Sequence, residues 1–152
     1  MSLPITEATP TQDASTPLVQ TRALDHVNLH VRDADASLAF YTEVLGLTID
    51  HLDRDDQGRA TFVVLHAGPQ NVFLMRRPHY RVPADRNDRG LNHVCVEIAP
   101  TDPAQLLSHL RARGVSLRSE LVHRQSARGP TVSIYIEDLD GHGIELKQYV
   151  TG

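Results

Sequence analysis

The chain repeats its own pattern of strands and helices. The four residues LDHV that begin at Leu24 return 67 residues later as LNHV from Leu91, which places His93 at the same point of the repeat as His26. In both copies an apolar helix pattern follows, and then three short strand patterns, so each copy predicts a β-α-β-β-β unit. A unit of this size is too small to bury its hydrophobic face alone. The two units are therefore expected to pair.

This pattern predicts an α+β fold in which two βαβββ modules pair into a curved, incompletely closed barrel around a cleft, with the helices outside. Module 1 is predicted over residues 22–76 and module 2 over residues 91–150, and together they form one domain over residues 22–150. A polar linker that contains two prolines joins them over residues 77–90. Residues 1–21 are rich in Thr, Ser, Pro and Gln and predict a flexible N-terminal arm.

The composition limits the classes of partner. The 152 residues carry 15 Lys and Arg against 19 Asp and Glu, and the basic residues are scattered, which argues against a nucleic-acid partner. No apolar run approaches membrane-spanning length and no signal-peptide pattern is present, so no membrane partner is expected and the expected location is cytoplasmic. Cys95 is the single cysteine, which excludes an intramolecular disulfide.

The second module closes with a hairpin pattern that turns a carboxylate inward. A run rich in β-branched and aromatic residues extends from Ser133 to Glu137, a turn cluster follows, and strand composition resumes at Gly143. Strand side chains alternate between two faces, so Glu145 lies opposite the apolar Ile144. An acid on this inner face needs solvent, a counter-charge or a metal, because burying it unpaired is costly.

Two histidines share the inner face by the same rule. In the first strand of each module Val27 and Val94 face the apolar layer, whereas His26 and His93 face the cleft. With Glu145 they form a set of two histidines and one carboxylate, an arrangement that leaves positions open on a divalent metal and is diagnostic of non-haem Fe(II) oxygenases. A catalytic zinc site with three protein ligands and one open position is the alternative.

Two further residues are predicted to be catalytic. Tyr135 shares the inner face with Ser133 and Glu137, where its hydroxyl can hydrogen-bond a substrate oxygen. The pattern places His123 in the loop before the closing hairpin, where an imidazole can act as a general acid or base near neutral pH.

These motifs resemble the vicinal oxygen chelate superfamily, which includes glyoxalase I, extradiol dioxygenases, fosfomycin-resistance proteins and bleomycin-binding (bleomycin resistance) proteins. The resemblance rests on the LDHV motif around His26, the helix end at Gly46 and the closing motif from Gly129 to Glu145. It runs over residues 23–149, and the closing hairpin is its most specific part.

Membership implies the glyoxalase/dioxygenase-like fold and a small-molecule substrate that binds a divalent metal through two adjacent oxygens. The positions that match the superfamily's metal ligands are His26, His93 and Glu145. Fe(II) is the favoured metal, with Mn(II), Zn(II) or Ni(II) as alternatives. Members often dimerise, so a homodimer is expected. The sequence leaves open whether His26 meets His93 within one chain or across the dimer.

The absence of one acidic residue bears on which reaction is predicted. Glyoxalase I is expected to carry a fourth, acidic ligand in the last strand of the first module, and this chain has no acid from Asn71 to Met75. This absence argues against glyoxalase I chemistry and toward the three-ligand branches, the extradiol dioxygenases and the fosfomycin thiol transferases. An extradiol-dioxygenase-like reaction is the favoured prediction. The alternatives are lyase, isomerase or thiol-transferase chemistry, glyoxalase-like or fosfomycin-resistance-like, on the same site. A non-enzymatic protein that sequesters a drug or another ligand is the third possibility.

Overall fold

The computed structural model describes residues 18–150. The predicted N-terminal arm lies outside the described residues except for positions 18–21, which are exposed and belong to no helix or strand. Module 1 consists of β1 (His26–Val31), α1 (Ala34–Ala39) with a π-helical turn (Phe40–Val44), β2 (Thr48–Arg54), β3 (Ala60–Ala67) and β4 (Gln70–Arg76). Module 2 consists of β5 (Val94–Glu97), α2 (Pro103–Ala112), β6 (Ser116–Ser126), β7 (Gly129–Glu137) and β8 (Gly143–Tyr149), and a short 3-10 turn (Arg86–Asp88) lies in the linker.

Each module forms its own four-stranded mixed sheet. The strand order is β1-β4-β3-β2 in module 1 and β5-β8-β7-β6 in module 2. The first and last strands of each module run parallel, and the other neighbours are antiparallel. The identical order confirms the predicted repeat. Two open sheets, neither of them closed on itself, confirm the predicted fold class.

Both helices begin at an aspartate and end near a glycine. Asp33 accepts hydrogen bonds from two backbone N–H groups in the first turn of α1, and Asp102 accepts one from Gln105 at the start of α2. These caps satisfy N–H groups that have no partner within the helix. Gly46 and Gly114 follow the two helical segments with φ of 74° and 66°, a conformation that glycine adopts without strain.

The hydrophobic core joins both modules. Leu29 and Val31 of β1 belong to the same buried apolar cluster as Ile144 and Leu146 of β8. The residue between the last two, Glu145, lies on the other face of β8, as the alternation predicted. Among residues 18–150, neither helix has the length and apolar character that a membrane span requires.

A turn of module 2 is tied to module 1 by side-chain hydrogen bonds. The Tyr41 hydroxyl donates to Asp138 Oδ2 at 2.8 Å, and Arg32 Nε donates to Asp140 Oδ1 at 2.6 Å. His142 Nε2 lies 2.7 Å from the backbone oxygen of His30, to which it donates. The sequence predicted only a turn here, because its partners lie about 100 residues earlier in the chain. The turn that precedes β8 is therefore a contact between the modules.

β6 is longer than the sequence predicted. The sequence predicts a strand that ends near Val122 and a loop that contains His123. The structure corrects this: β6 continues to Ser126, and His123 pairs with Val132 of β7. Most side chains in this last stretch are exposed, so no apolar alternation marks it as a strand in the sequence.

Replacing Tyr41 with Phe tests the tie between the modules. The change keeps the ring and leaves the buried Asp138 carboxyl without its hydroxyl donor, so we expect the free energy of unfolding to fall by about 1–3 kcal/mol. Urea denaturation measures it. Tyr80→Phe is the matched control, because it removes a hydroxyl from a half-buried ring and is expected to change stability by less than about 0.5 kcal/mol. Equal stability of the two variants would contradict the assignment.

Candidate metal centre

His93 and Glu145 meet on the cleft face of module 2. His93 immediately precedes β5, and β5 pairs with β8 in a register that sets Cys95 beside Glu145. His93 Nε2 lies 3.1 Å from Glu145 Oε2. Glu145 is only 3% exposed, so its carboxylate depends on these neighbours rather than on water. The fold thus brings two of the three predicted metal ligands into contact.

The close approach of these segments requires Gly143. A Cβ atom at this position would lie 2.5 Å from the backbone oxygen of Asn92, which is closer than real Cβ contacts. The residue before His93 therefore passes directly over the start of β8. The glycine two residues before Glu145 is a steric requirement of the pair.

Both histidines are anchored through the same ring nitrogen. His93 Nδ1 lies 2.8 Å from Asn92 Oδ1, and His26 Nδ1 lies 2.7 Å from Asp25 Oδ2. An oxygen acceptor at this distance holds a proton on Nδ1 and leaves Nε2 with the free lone pair. Ligating histidines in metal proteins are usually fixed in this way. The repeat therefore preserves the anchor as well as the histidine.

The contact between His93 and Glu145 calls for a cation. When the imidazole is neutral and its proton sits on Nδ1, Nε2 and the carboxylate oxygen Oε2 face each other as two acceptors, which repel. Either a second proton on His93 or a metal ion between the two atoms removes this repulsion. An imidazole nitrogen and a carboxylate oxygen are ordinary donors for zinc and for non-haem iron, so the residues fit a divalent metal.

The other carboxylate oxygen of Glu145 accepts a hydrogen bond and lies near a positive charge. Ser133 Oγ donates to Oε1 at 2.7 Å, and Lys147 Nζ lies 3.4 Å from the same atom. Burial alone would raise the pKa of Glu145. The Ser133 hydroxyl and the Lys147 charge together outweigh this effect and leave the pKa below its usual value. Glu145 is therefore ionised at neutral pH, as a metal ligand must be.

Tyr135 borders the pair. It lies directly opposite Glu145 in the pairing of β7 with β8, and its ring meets the His93 ring edge-on at a centroid distance of 5.3 Å. Burial and the negative charge of Glu145 raise the pKa of Tyr135. The phenol therefore keeps its proton at neutral pH and is available as a hydrogen-bond donor.

His26 stands apart from this pair within one chain. Its ring stacks on Phe73 at a centroid distance of 4.0 Å, and 41% of its side chain is exposed. No three His, Cys, Asp or Glu side chains between residues 18 and 150 lie close enough together to hold a metal. His26 and His93 nevertheless line the same cleft of about 1030 Å³. Within one chain, His93 and Glu145 are therefore in contact, and His26 is separate from them.

Phe73 occupies in module 1 the position that Glu145 holds in module 2. Cys95 pairs with Glu145 between β5 and β8, and Asn28 pairs with Phe73 between β1 and β4. Cys95 and Asn28 each follow a repeat histidine by two residues. The position equivalent to the carboxylate therefore carries a phenyl ring, and β4 contains no acid at all.

His123 lies on the other side of the sheet. Directly opposed strand residues share a face, and His123 opposes Val132, whose side chain points away from the face of Tyr135. Its side chain is exposed. The catalytic role of His123 stays a prediction, and its position is separated by the sheet from the His93–Glu145 pair.

The sequence did not predict the residues that support the three candidate ligands. Asp25 and Asn92 anchor the two histidines, Ser133 fixes Glu145, and Lys147 places a charge beside it. A signal for the anchors was present in the sequence, since an Asp or Asn with a side-chain oxygen precedes the histidine in both copies of the repeat.

Comparison with known proteins gives consistent matches. The profile of the Glyoxalase/Bleomycin resistance protein/Dioxygenase superfamily matches residues 23–146. The virulence protein STM3117 of Salmonella typhimurium is 32% identical over 128 residues, which cover 84% of each chain. Its crystal structure has a TM-score of 0.64 at 30% identity and covers 87% of this chain and 100% of that one.

Two further relatives extend this result. The glyoxalase domain-containing protein RDO1 of Mycosarcoma maydis is 31% identical over 136 residues, which cover 86% of this chain and 70% of the relative. A lactoylglutathione lyase of Salmonella typhimurium is 25% identical over 121 residues, which cover 80% and 88%. The superfamily match spans both modules and confirms the resemblance seen in the motifs. This chain belongs to the glyoxalase/bleomycin resistance protein/dioxygenase superfamily, also known as the vicinal oxygen chelate superfamily.

Proposed function

We propose that the protein is a metal-dependent enzyme that binds its substrate through two adjacent oxygens. His93 and Glu145 of one chain, with His26 of a second copy, would hold the divalent metal. The observation that carries the proposal is the 3.1 Å contact between His93 Nε2 and Glu145 Oε2. It sets two metal-type donors against each other while the second ring nitrogen of His93 is already engaged by Asn92.

The position of His26 supports a site shared by two copies. Its Nδ1 is held by Asp25 and its ring rests on Phe73, so its orientation is fixed although its side chain is half-exposed. β1 lies at the edge of its sheet, next to β4 only. A two-fold homodimer that sets module 1 of one copy against module 2 of the other would contain two identical clefts with three ligands each.

The face of module 1 around His26 suits an apolar part of the substrate. Phe62 meets Phe73 edge-on at a centroid distance of 5.3 Å, and Met75 lies directly opposite Phe62. All three side chains are only half-buried in the single chain. Ligand pockets combine such an apolar wall with a few polar groups that orient the ligand.

The chain's own residues have distinct roles in this proposal. A divalent metal supplies Lewis-acid chemistry when bound, and Fe(II) adds the capacity to activate dioxygen. Ser133 orients Glu145, and Asn92 orients His93. Tyr135 retains its proton and borders His93, so its hydroxyl can donate a hydrogen bond or a proton to a substrate oxygen.

Among the reactions of the superfamily we favour an extradiol-dioxygenase-like ring cleavage. Three protein ligands leave room for two substrate oxygens and dioxygen, and Phe73 stands at the repeat position where a fourth, carboxylate ligand would lie. The similarity to a lactoylglutathione lyase favours the second candidate, a lyase, isomerase or thiol-transfer reaction on the same site.

Metal analysis tests the ligand set. After anaerobic loading with Fe(II), Mn(II) or Zn(II), we expect about one metal per chain in the wild type and little in His26→Ala, His93→Ala or Glu145→Gln, because each change removes one of three donors. Elemental analysis measures the content, and His123→Ala is the control that keeps it. A wild type without stoichiometric metal would contradict the enzyme proposal and leave a ligand-sequestering protein to be tested.

Subunit mixing tests whether two copies share the site. Neither His26→Ala nor Glu145→Gln is expected to bind metal alone, but a heterodimer of the two contains one cleft with three intact ligands. Random exchange should therefore restore roughly a quarter of the wild-type metal content. Native mass spectrometry verifies that heterodimers form. If verified heterodimers bind no metal, the shared site is wrong.

Oxygen uptake tests the reaction. The Fe(II)-loaded protein is expected to consume oxygen when given a catechol, and Tyr135→Phe should slow uptake by about 100-fold at unchanged iron content, because it removes the acid–base hydroxyl. An oxygen electrode follows the reaction. Conversion of the hemithioacetal of methylglyoxal and glutathione to a thioester, without oxygen uptake, would favour the lyase instead.

A further inference from the structure

We propose that Lys147 binds a negatively charged oxygen of the substrate beside the metal, which makes the substrate a carboxylate with an adjacent oxygen, such as a 2-hydroxy or 2-oxo acid. This inference rests on the proposed function. It adds a specificity-determining residue and a substrate charge to it. For the ring-cleaving reaction, the corresponding substrate class is the catechols that carry a carboxylate.

Lys147 is placed at the cleft by the register of β8. It follows Glu145 by two residues and so shares its face, and it pairs with Ser133 of β7 and Glu97 of β5. Its side chain lines the same cleft as His26 and His93 and is 21% exposed. Its ammonium group lies 3.4 Å from the Glu145 carboxylate, the anion that offsets its burial when no metal is bound.

Glu145 does not depend on Lys147 for its orientation. The Ser133 hydroxyl already donates to Glu145 Oε1 at 2.7 Å. Lys147 Nζ lies 3.4 Å from the same oxygen, which is longer than the roughly 2.7–2.9 Å of a charge-assisted hydrogen bond. Lys147 is therefore a neighbouring charge rather than the anchor of the carboxylate.

The charge of the loaded site favours an anion. Without metal, the single charges of Glu145 and Lys147 cancel. A divalent ion held by neutral imidazoles adds two positive charges, and Glu145 is then shared between that ion and Lys147. Asp25 lies behind His26, but its side chain is 83% exposed and screened by water. A substrate carboxylate next to Lys147 offsets one of these two excess positive charges.

The test uses Co(II)-loaded protein and two small metal ligands as probes. Oxalate is anionic and has adjacent oxygens, whereas imidazole is a neutral ligand. We expect Lys147→Met to weaken oxalate binding by about 10-fold and Lys147→Arg to keep it within about 3-fold of the wild type. Imidazole affinity should be the same in all three proteins. Visible absorption of Co(II) follows both titrations.

Two controls separate the possible failures. Arg128→Met removes an equal charge from the rim of the cleft, where Arg128 is paired with Glu97, and should change oxalate affinity by less than about 2-fold. Unchanged oxalate affinity in Lys147→Met, or weaker Co(II) binding by that variant, overturns this inference but leaves the proposed metal-binding function standing. A wild type whose Co(II) binding does not depend on His93 and Glu145 overturns the proposed function as well.

Discussion

The buried carboxylate of Asp138 fixes the geometry on which the rest of the structure depends. One of its oxygens accepts the backbone N–H groups of Asp140 and His142 and shapes the turn, and the other accepts the Tyr41 hydroxyl from module 1. Burial raises the pKa of Asp138, so these donors are what makes its position tolerable. β8 starts directly after this turn. The position of Glu145 is therefore set by a contact between the modules.

The candidate centre combines two anchored side chains with one contact between two acceptor atoms. Asn92 holds one nitrogen of His93 and Ser133 holds one oxygen of Glu145. The remaining nitrogen and oxygen are directed at each other at 3.1 Å. Preorganised donors of this kind lower the cost of collecting ligands around an ion. The sheet already holds these side chains in place before an ion binds. Tyr135 lies beside the pair.

Much of this could be predicted from the sequence, because strand alternation and the repeat are local signals. They predict both modules, and they place Glu145 of β8 and the two repeat histidines on the inner face. The link from Tyr41 to Asp138 joins residues 97 apart, and no local pattern encodes it. The separation of His26 depends on how the two modules sit relative to each other, which alternation does not encode either. The end of β6 was missed because it is polar on both faces.

Phe73 has a consequence for how such proteins diversify. The two modules share one backbone plan, and at the same point of that plan one carries a carboxylate and the other a phenyl ring. In the proposed site, the number of protein donors is therefore decided by a single side chain, while the sheets stay as they are. A duplicated module lets coordination number change without a change of fold. The module that carries the phenyl ring presents an apolar surface at this point, so one side chain sets both the number of donors and the shape of what can enter the site.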